Sequence, residues 1–226
     1  MASEEKKRIQ RQRSMACFIH AAIDIINEEG LSALSIRKTA DRAGYNSATL
    51  YHYFSDFEEL CTFAAMKYLD EYAKDLQNYL SQTTRPLHKY IKVWECFCRH
   101  SFTHPNIFWL LFFKQVGKKV DFNHYFQTYY EIFPENWSDE LLDYKTMLTS
   151  DNLYEREYIA LTKSLQKENI QIPDKTLQSI NEMNILIYRG MLETLRENPG
   201  LMTVDDAVDR TVTYLRKTLT AYGISD

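Results

Sequence analysis

Residues 35–60, Ser35-Ile-Arg-Lys-Thr-Ala-Asp-Arg-Ala-Gly-Tyr-Asn-Ser-Ala-Thr-Leu-Tyr-His-Tyr-Phe-Ser-Asp-Phe-Glu-Glu-Leu60, constrain this chain more than any other stretch. Before Gly44, the residues Ile36, Ala40 and Ala43 recur at i, i+4 and i+7, one face of a short helix. Gly44 stands where a chain leaving a helix commonly takes a left-handed residue without a Cβ. After it, Ser47 is expected to cap a second helix through its hydroxyl oxygen. Leu50 and Phe54, at i and i+4, give that helix one buried edge. Ser55 and Glu58 have the spacing of a capping box that opens a third helix. Two short helices about a glycine turn make the layout of a helix-turn-helix, whose second helix enters the DNA major groove.

Opposite the Leu50–Phe54 edge stand Ala48, Thr49 and His52, with Tyr51 and Tyr53 on the flanks. Small residues let a backbone approach base edges, the methyls of Ala48 and Thr49 suit a thymine methyl, and tyrosine hydroxyls suit phosphates. Arg37, on the preceding helix, offers a charged donor to a phosphate or to guanine. On these residues alone, an exposed helical hairpin with incidental tyrosines fits equally well.

From about residue 14 to residue 63 the chain resembles the N-terminal domain of the TetR family of bacterial transcriptional regulators. The resemblance lies in Ala21-Ala22-Ile23-Asp24-Ile25-Ile26, Glu29-Gly30-Leu31, Ser35-Ile36-Arg37, Ala40, Ala43-Gly44, Thr49-Leu50-Tyr51-His52-Tyr53-Phe54 and Glu58-Glu59-Leu60. It implies that Ser47, Ala48, Thr49, Tyr51 and Tyr53 touch bases or phosphates, and that Arg37 is a contact on the preceding helix. With His52 from the free edge, these seven are the candidate DNA-binding residues. In one place the chain departs from the family: Phe57 stands where a lysine often meets phosphate.

Charge is segregated in the direction that nucleic-acid binding requires. Lys6, Lys7, Arg8, Arg11 and Arg13 fill residues 6–13 without an acid, either as a solvated helix face or as an arm for the DNA backbone. The first 55 residues hold eight Lys and Arg against six Asp and Glu, the remainder 19 against 25, so the net −4 conceals a basic N-terminal part. The charged start has no secretory core, and the longest apolar run, Ile107 to Phe113, is seven residues. A cytoplasmic location with no membrane partner is expected.

Cys17, Cys61, Cys96 and Cys98 form no paired CxxC; Cys96-x-Cys98 lacks a second ligand pair at zinc spacing. With His100 and His104 close by, a metal site is conceivable, but reduced buried thiols are the ordinary reading. No metal and no cofactor are therefore expected. Without a glycine-rich phosphate loop, a GxSxG elbow or an assignable catalytic pair, the chain is read as a non-enzyme.

The fold expected is all-α, a helix-turn-helix DNA-binding domain over 1–55 followed by a larger helical ligand-binding and dimerisation domain over 56–226. Its helices are placed at about 56–80, 87–102, Ile107 to Val116, 139–168, 174–197 and 203–222, the last opened by the capping box Thr203-x-x-Asp206. Trp94, Trp109, Trp137 and many Phe and Tyr crowd residues 90–158, which suits either a ring-rich core or an apolar cavity with polar handles. The resemblance implies an inducer pocket here, with Trp94, Phe97, Phe113, Tyr154, Met183 and Ile187 as candidate lining.

In the last helix Val204, Val208, Thr211, Leu215 and Tyr222 stripe one side, with Val212 and Leu219 beside it; Ile180, Met183, Ile187, Met191 and Leu195 stripe the helix before. Both stripes fit packing on the domain core. By resemblance they form a four-helix bundle with a second copy, which fits two recognition helices reading a palindrome. The expected function is that of a ligand-responsive transcriptional regulator, a repressor, bound as a homodimer to a double-stranded operator and released by a small, largely apolar effector. The alternative is a TetR-like protein-interaction partner without DNA binding.

Overall fold

The computed structural model describes residues 2–114, 121–135, 137–150 and 152–225, and every regular element among them is a helix. In chain order these are α1 (Ala2–Glu29), a 3₁₀ turn (Leu31–Ala33), α2 (Ile36–Ala43), α3 (Ser47–Leu50), α4 (Phe57–Leu80), α5 (Pro86–Thr103) and α6 (Pro105–Phe112). They continue as α7 (Phe122–Ile132), α8 (Asp139–Leu142), α9 (Lys145–Thr149), α10 (Leu153–Lys167), α11 (Asp174–Glu197) and α12 (Val204–Ala221). Among the described residues no helix is long and apolar enough to cross a membrane. The chain gathers into two compact units, one of Met1–Leu69 with Asn123–Asn136, the other of Asp70–Phe122 with Trp137–Asp226.

In the first unit, α1 supplies the floor on which the two short helices sit. Phe18, Ile19 and Ala22, one helical face, are fully buried. The Phe18 ring lies 4.9 Å from Tyr45, 5.8 Å from Tyr53 and 6.1 Å, edge-on, from Phe54. Phe54 meets Phe63 of α4 at 5.9 Å, and Phe63 meets Tyr125 of α7 at 4.9 Å. The compact unit therefore runs on past residue 55, because Leu60, Phe63 and Ala64 belong to the same core. No helix was expected over 122–132, although Phe122, Phe126 and Tyr129 keep helical spacing and are buried.

In the second unit α5 is the central helix, packed against α10, α11 and α12, while α11 also packs against α6. Tyr90, Trp94, Phe97 and Phe102 point from it into the core, and Tyr188 of α11 stacks nearly parallel to Phe102 at 5.8 Å. Thr203 caps α12 as expected, its Oγ1 accepting from the Asp206 amide at 3.0 Å.

Three local expectations need correction. The cap of α4 lies one residue on from the Ser55–Glu58 pair: Asp56 Oδ1 accepts from the Glu59 amide at 2.8 Å, and the Glu59 carboxylate accepts from Ser55 N–H. The helix begun near Ile107 ends at Phe112, where the amides of Phe113 and Lys114 both turn back to the Trp109 carbonyl; its expected end, Val116, lies outside the described residues. The single helix expected over 139–168 is three. Asn152 caps α10 by accepting from the Glu155 amide at 2.8 Å, and buried Arg156 donates to the carbonyls of Leu148 and Ser150, which end α9. Those bonds reward the break and are invisible to periodicity.

Because Phe54 joins α1 to the start of α4 through ring contacts on both sides, Phe54→Ala should cost about 3–5 kcal/mol. Urea unfolding followed by circular dichroism should show the midpoint fall by a corresponding amount, whereas Phe57→Ala, half-buried, should cost markedly less.

Candidate functional site

The reader is built from turn chemistry. Ser35 caps α2, its hydroxyl accepting from the Lys38 amide at 3.3 Å. Gly44 ends α2 at φ 76°, the left-handed conformation expected of it. The cap of α3 is Asn46, not Ser47: Asn46 Oδ1 accepts from the Thr49 amide and from the Thr49 hydroxyl, both at 2.9 Å. A carboxamide one residue earlier reaches the Thr49 amide and takes the place assigned to the Ser47 hydroxyl, leaving Ser47 as the first helical residue. The Thr49 hydroxyl is thereby committed to the Asn46 side chain.

Beyond Leu50 the turn carries on through Phe54, and its final carbonyls are held by a member of the basic run of residues 6–13. Arg11 of α1 donates to the carbonyl of His52 at 2.9 Å and to that of Tyr53 at 3.1 Å, with its guanidinium 5.6 Å from the Tyr53 ring centroid. A cation at a helical C-terminal end is favoured electrostatically. Lys6, Lys7, Arg8, Arg11 and Arg13 all lie within α1.

Of the candidate contacts, Arg37, Ala48, Tyr51 and His52 are exposed, Tyr51 at 55%. Ser47, Thr49 and Tyr53 are half-buried, Tyr53 against Phe18 and Arg11. The cations of α2 divide by role. Lys38 pairs with Glu29, and Arg42 with Glu28 at 2.7 Å, so both fasten α2 to the end of α1. Arg37 has only a 3.8 Å approach to Asp41 and a side chain 89% exposed, which leaves its charge facing solvent.

The second unit holds a small cavity, partly open to solvent, lined by Tyr72, Val93, Trp94, Phe97, Met147, Leu153, Arg156, Glu157 and Ala160. Of the sequence candidates, Trp94 and Phe97 line this cavity. Phe113 sits just past α6 beside Trp109 and Arg189, at ring and cation distances of 5.0 and 5.2 Å. Tyr154 and Met183 are exposed and Ile187 is half-buried. α10 turns Leu153, Arg156, Glu157 and Ala160 inward, and α11 turns Ile180, Asn184 and Tyr188 inward. The buried face of α10 is set by the Asn152 cap, which the reading of one long helix did not contain.

Glu157 is buried in the cavity wall. Its Oε1 accepts from the Tyr90 hydroxyl at 2.6 Å and Asn184 Nδ2 at 2.9 Å, and its Oε2 from Trp94 Nε1 at 2.9 Å. Burial pushes its carboxyl up to about 7 despite those three donors, each of which pulls the other way. Arg156, also buried, lies 5.1 Å from the Phe112 ring centroid and 5.4 Å from that of Phe122. Cys61, Cys96 and Cys98 are buried and outside any disulfide, while Cys17 is exposed.

Residues 18–62 match the family described as bacterial regulatory proteins, tetR family, so the N-terminal segment is a TetR-type helix-turn-helix domain. No curated protein matches the chain in sequence. Among solved structures, the fold is similar to that of RolR in complex with resorcinol, at 18% identity over 92% of this chain and 88% of that one, with a TM-score of 0.59. It is also similar to Thermus thermophilus FadR, a transcriptional repressor bound to lauroyl-CoA, at 11% identity over 89% and 92%, TM-score 0.57. Bacillus subtilis FadR with stearoyl-CoA gives 15% identity over 88% and 96%, TM-score 0.55. At such identities the likeness is one of fold.

The raised carboxyl of Glu157 has a signed consequence. Between its ordinary value of 4.5 and about 7 the folded chain holds a proton that the unfolded chain has lost, so this group's contribution to stability is full below 4.5 and declines as pH rises through 7. The decline is of order 3 kcal/mol at most. Glu157→Gln, which sets an amide donor against the Trp94 or Tyr90 donor, should be less stable than the parent at pH 4.5. The gap should narrow towards pH 8 in denaturant titrations, and a pH-independent gap would refute the assignment.

Proposed function

We propose that this chain is a ligand-responsive transcriptional regulator, a repressor that binds a palindromic operator as a homodimer and leaves it when a small, largely apolar molecule enters the second unit. The observation that carries the reading is the α3 edge. Ala48, Tyr51 and His52 are exposed beside the uncommitted charge of Arg37, on a turn capped at one end by Asn46 and held at the other by Arg11. Preorganised backbone with short side chains at its start is what base-edge contact requires, and Tyr51, Tyr53 and Arg37 supply the phosphate contacts.

The cavity supports the effector half of the proposal. Its rings offer apolar surface, and Arg156 and Glu157 give the two ionisable groups of its wall. Those features favour a small apolar or aromatic molecule, as resorcinol is for RolR, over a ligand with several anionic groups such as the acyl-CoA esters of the two FadR proteins. Tyr72 of the cavity wall and Phe63 of the reader core lie on the same helix, α4, so a ligand that shifts Tyr72 acts on a rigid element shared with the reader. Ligand and operator binding are then reciprocally coupled.

For association, α11 presents Met183 and Leu186 to solvent at 42% and 55% exposure, with Ile187 half-buried beside them and Tyr222 touching Met183. Much of the α12 stripe, namely Val208, Thr211, Leu215 and Leu219, is buried within its own unit, so the outer face of α11 carries most of the proposed contact. Gly190 lies on that helix and is exposed; a Cβ there meets nothing within 4 Å. Packing within the chain does not ask for glycine, whereas close approach by a second copy does.

A footprint on DNA flanking the chain's own gene tests the first claim. A protected palindrome is expected, weaker by about fivefold or more for Tyr51→Phe. Arg37→Ala should lower affinity across sequences and reduce the salt slope by about one. No protection there, and no enrichment from random DNA, would favour an interaction partner without DNA binding, the reading that Phe57 in place of a lysine supports. Sedimentation tests the second claim. Gly190→Leu should fold at least as well as the parent, because glycine costs about 1 kcal/mol in a helix interior, yet dissociate the dimer. An undisturbed dimer would move the interface elsewhere.

A further inference from the structure

Apart from the reader and the cavity wall, one group of side chains in the second unit carries donor chemistry that the regulator reading does not use. Asp75 of α4 and Cys96 and His100 of α5 bring a carboxylate oxygen, a thiol sulfur and an imidazole nitrogen within 4.8 Å of one another. Cys96 and His100 are spaced i,i+4 and so share one face of α5. His100 Nε2 lies 3.1 Å from Asp75 Oδ2. The other carboxylate oxygen, Oδ1, accepts from Asn78 Nδ2 at 3.1 Å, which fixes the plane of the group. The Cys96 thiol faces the Tyr72 carbonyl at 3.9 Å. One turn further along, Glu71 of α4 and His104, which ends α5, continue both rows; burial holds the His104 imidazole below its ordinary value.

An Asp–His pair by itself is an ordinary partly buried contact, and a buried thiol by itself is an ordinary small apolar residue. Neither needs the other. Sulfur, nitrogen and oxygen donors converging from two helices make the set that suits zinc-class divalent ions, with thiolate and imidazole giving the selectivity over magnesium or calcium. We propose that Asp75, Cys96 and His100 bind one divalent transition cation of the zinc class, with water in the fourth position. Bonds of about 2.0–2.3 Å in a tetrahedron place donor atoms about 3.5 Å apart, so side-chain rotations that close the present separations by about an ångström complete the shell. On binding, the S–H bond breaks, a sulfur–metal bond forms, and the proton leaves to solvent. The side chains of His100 and Asp75 are 20% and 36% exposed, which gives the ion a way in. A bound ion crosslinks α4 to α5. The Asn78 amide then serves as the outer-shell group that orients a ligating carboxylate.

The test uses the full chain carrying Cys17→Ala, which removes the exposed competing thiol, kept reduced and titrated with Co²⁺. One Co²⁺ per chain is expected, with thiolate-to-cobalt charge transfer in the near ultraviolet, the visible bands of tetrahedral cobalt, and displacement by Zn²⁺. Adding Cys96→Ala should abolish the charge transfer. Asp75→Asn and His100→Gln should each weaken Co²⁺ binding by about tenfold or more, with the helical circular dichroism unchanged. Absence of charge transfer at saturating Co²⁺ would overturn the proposal, as would its survival in Cys96→Ala or an unmoved affinity in both Asp75→Asn and His100→Gln. If Cys96→Ala does not fold, those two substitutions decide. The readout is optical and involves no DNA, so the result stands whatever becomes of the regulator reading.

Discussion

The carboxylate of Glu157 cannot be buried without help, and two neighbouring helices supply it. α10 carries the acid, α5 brings the Tyr90 hydroxyl and the Trp94 indole, and α11 brings the Asn184 amide. Removing a charge from water costs far more than one hydrogen bond returns, so only a full set of donors makes the position tolerable. The Asn184 amide also donates to the Tyr90 oxygen at 2.8 Å, which closes the network on itself. A network of this kind specifies register: one turn of slip in α10 or α11 leaves a buried acid or amide without partners. The cavity lies against it because Trp94 and Glu157 serve both. The polar handle in the pocket is thus one end of a bond network that holds the unit's helices in place.

The reader depends on a smaller device of the same logic. A helix as short as α3 makes few of its own bonds, and its ends would fray in isolation. Asn46 holds one end and Arg11 the other, while Phe18 fixes the inner side through Tyr45, Tyr53 and Phe54. All the cost of ordering the turn is therefore met by residues that face away from the proposed DNA edge. Under the proposed reading, Ala48, Tyr51 and His52 are left for recognition. The division also explains why a chain of net charge −4 fits a DNA-binding reading. Lys38 and Arg42 are spent on Glu29 and Glu28 inside the unit, whereas the Arg37 side chain stays 89% exposed.

Most of this architecture was legible, and the failures are local. Gly44 announced the turn because few other residues adopt a positive φ there, and Leu50 and Phe54 announced the inner edge because i,i+4 spacing leaves no other geometry. Asn46 and Ser47 are both good caps, and only the reach of the carboxamide to Thr49 decides between them. Arg11 looked like one member of a basic run; its bonds to residues 41 and 42 positions away are a tertiary fact. The break between α9 and α10 depends on Arg156 reaching back to carbonyls six and eight residues earlier. Nothing in the apolar periodicity of 139–168 carries that bond. The cavity-lining residues of α10 follow from it, since Leu153, Glu157 and Ala160 could be aimed inward only once the start of α10 was known.

One helix ties these observations to regulation under the proposed reading. Between Phe63, which packs in the reader core, and Tyr72, which lines the cavity, α4 has eight residues of uninterrupted helix without glycine or proline. Such a segment has none of the residues at which helices usually kink sharply. A ligand that moves Tyr72 acts on the helix that also carries Phe63. The free energy it can deliver is bounded by its own preference between the two positions of α4. Asp75 lies three residues beyond Tyr72, so a cation bound by Asp75, Cys96 and His100 would hold the same helix to α5. Ion and effector would then compete for the position of one rigid element without sharing a single ligand atom.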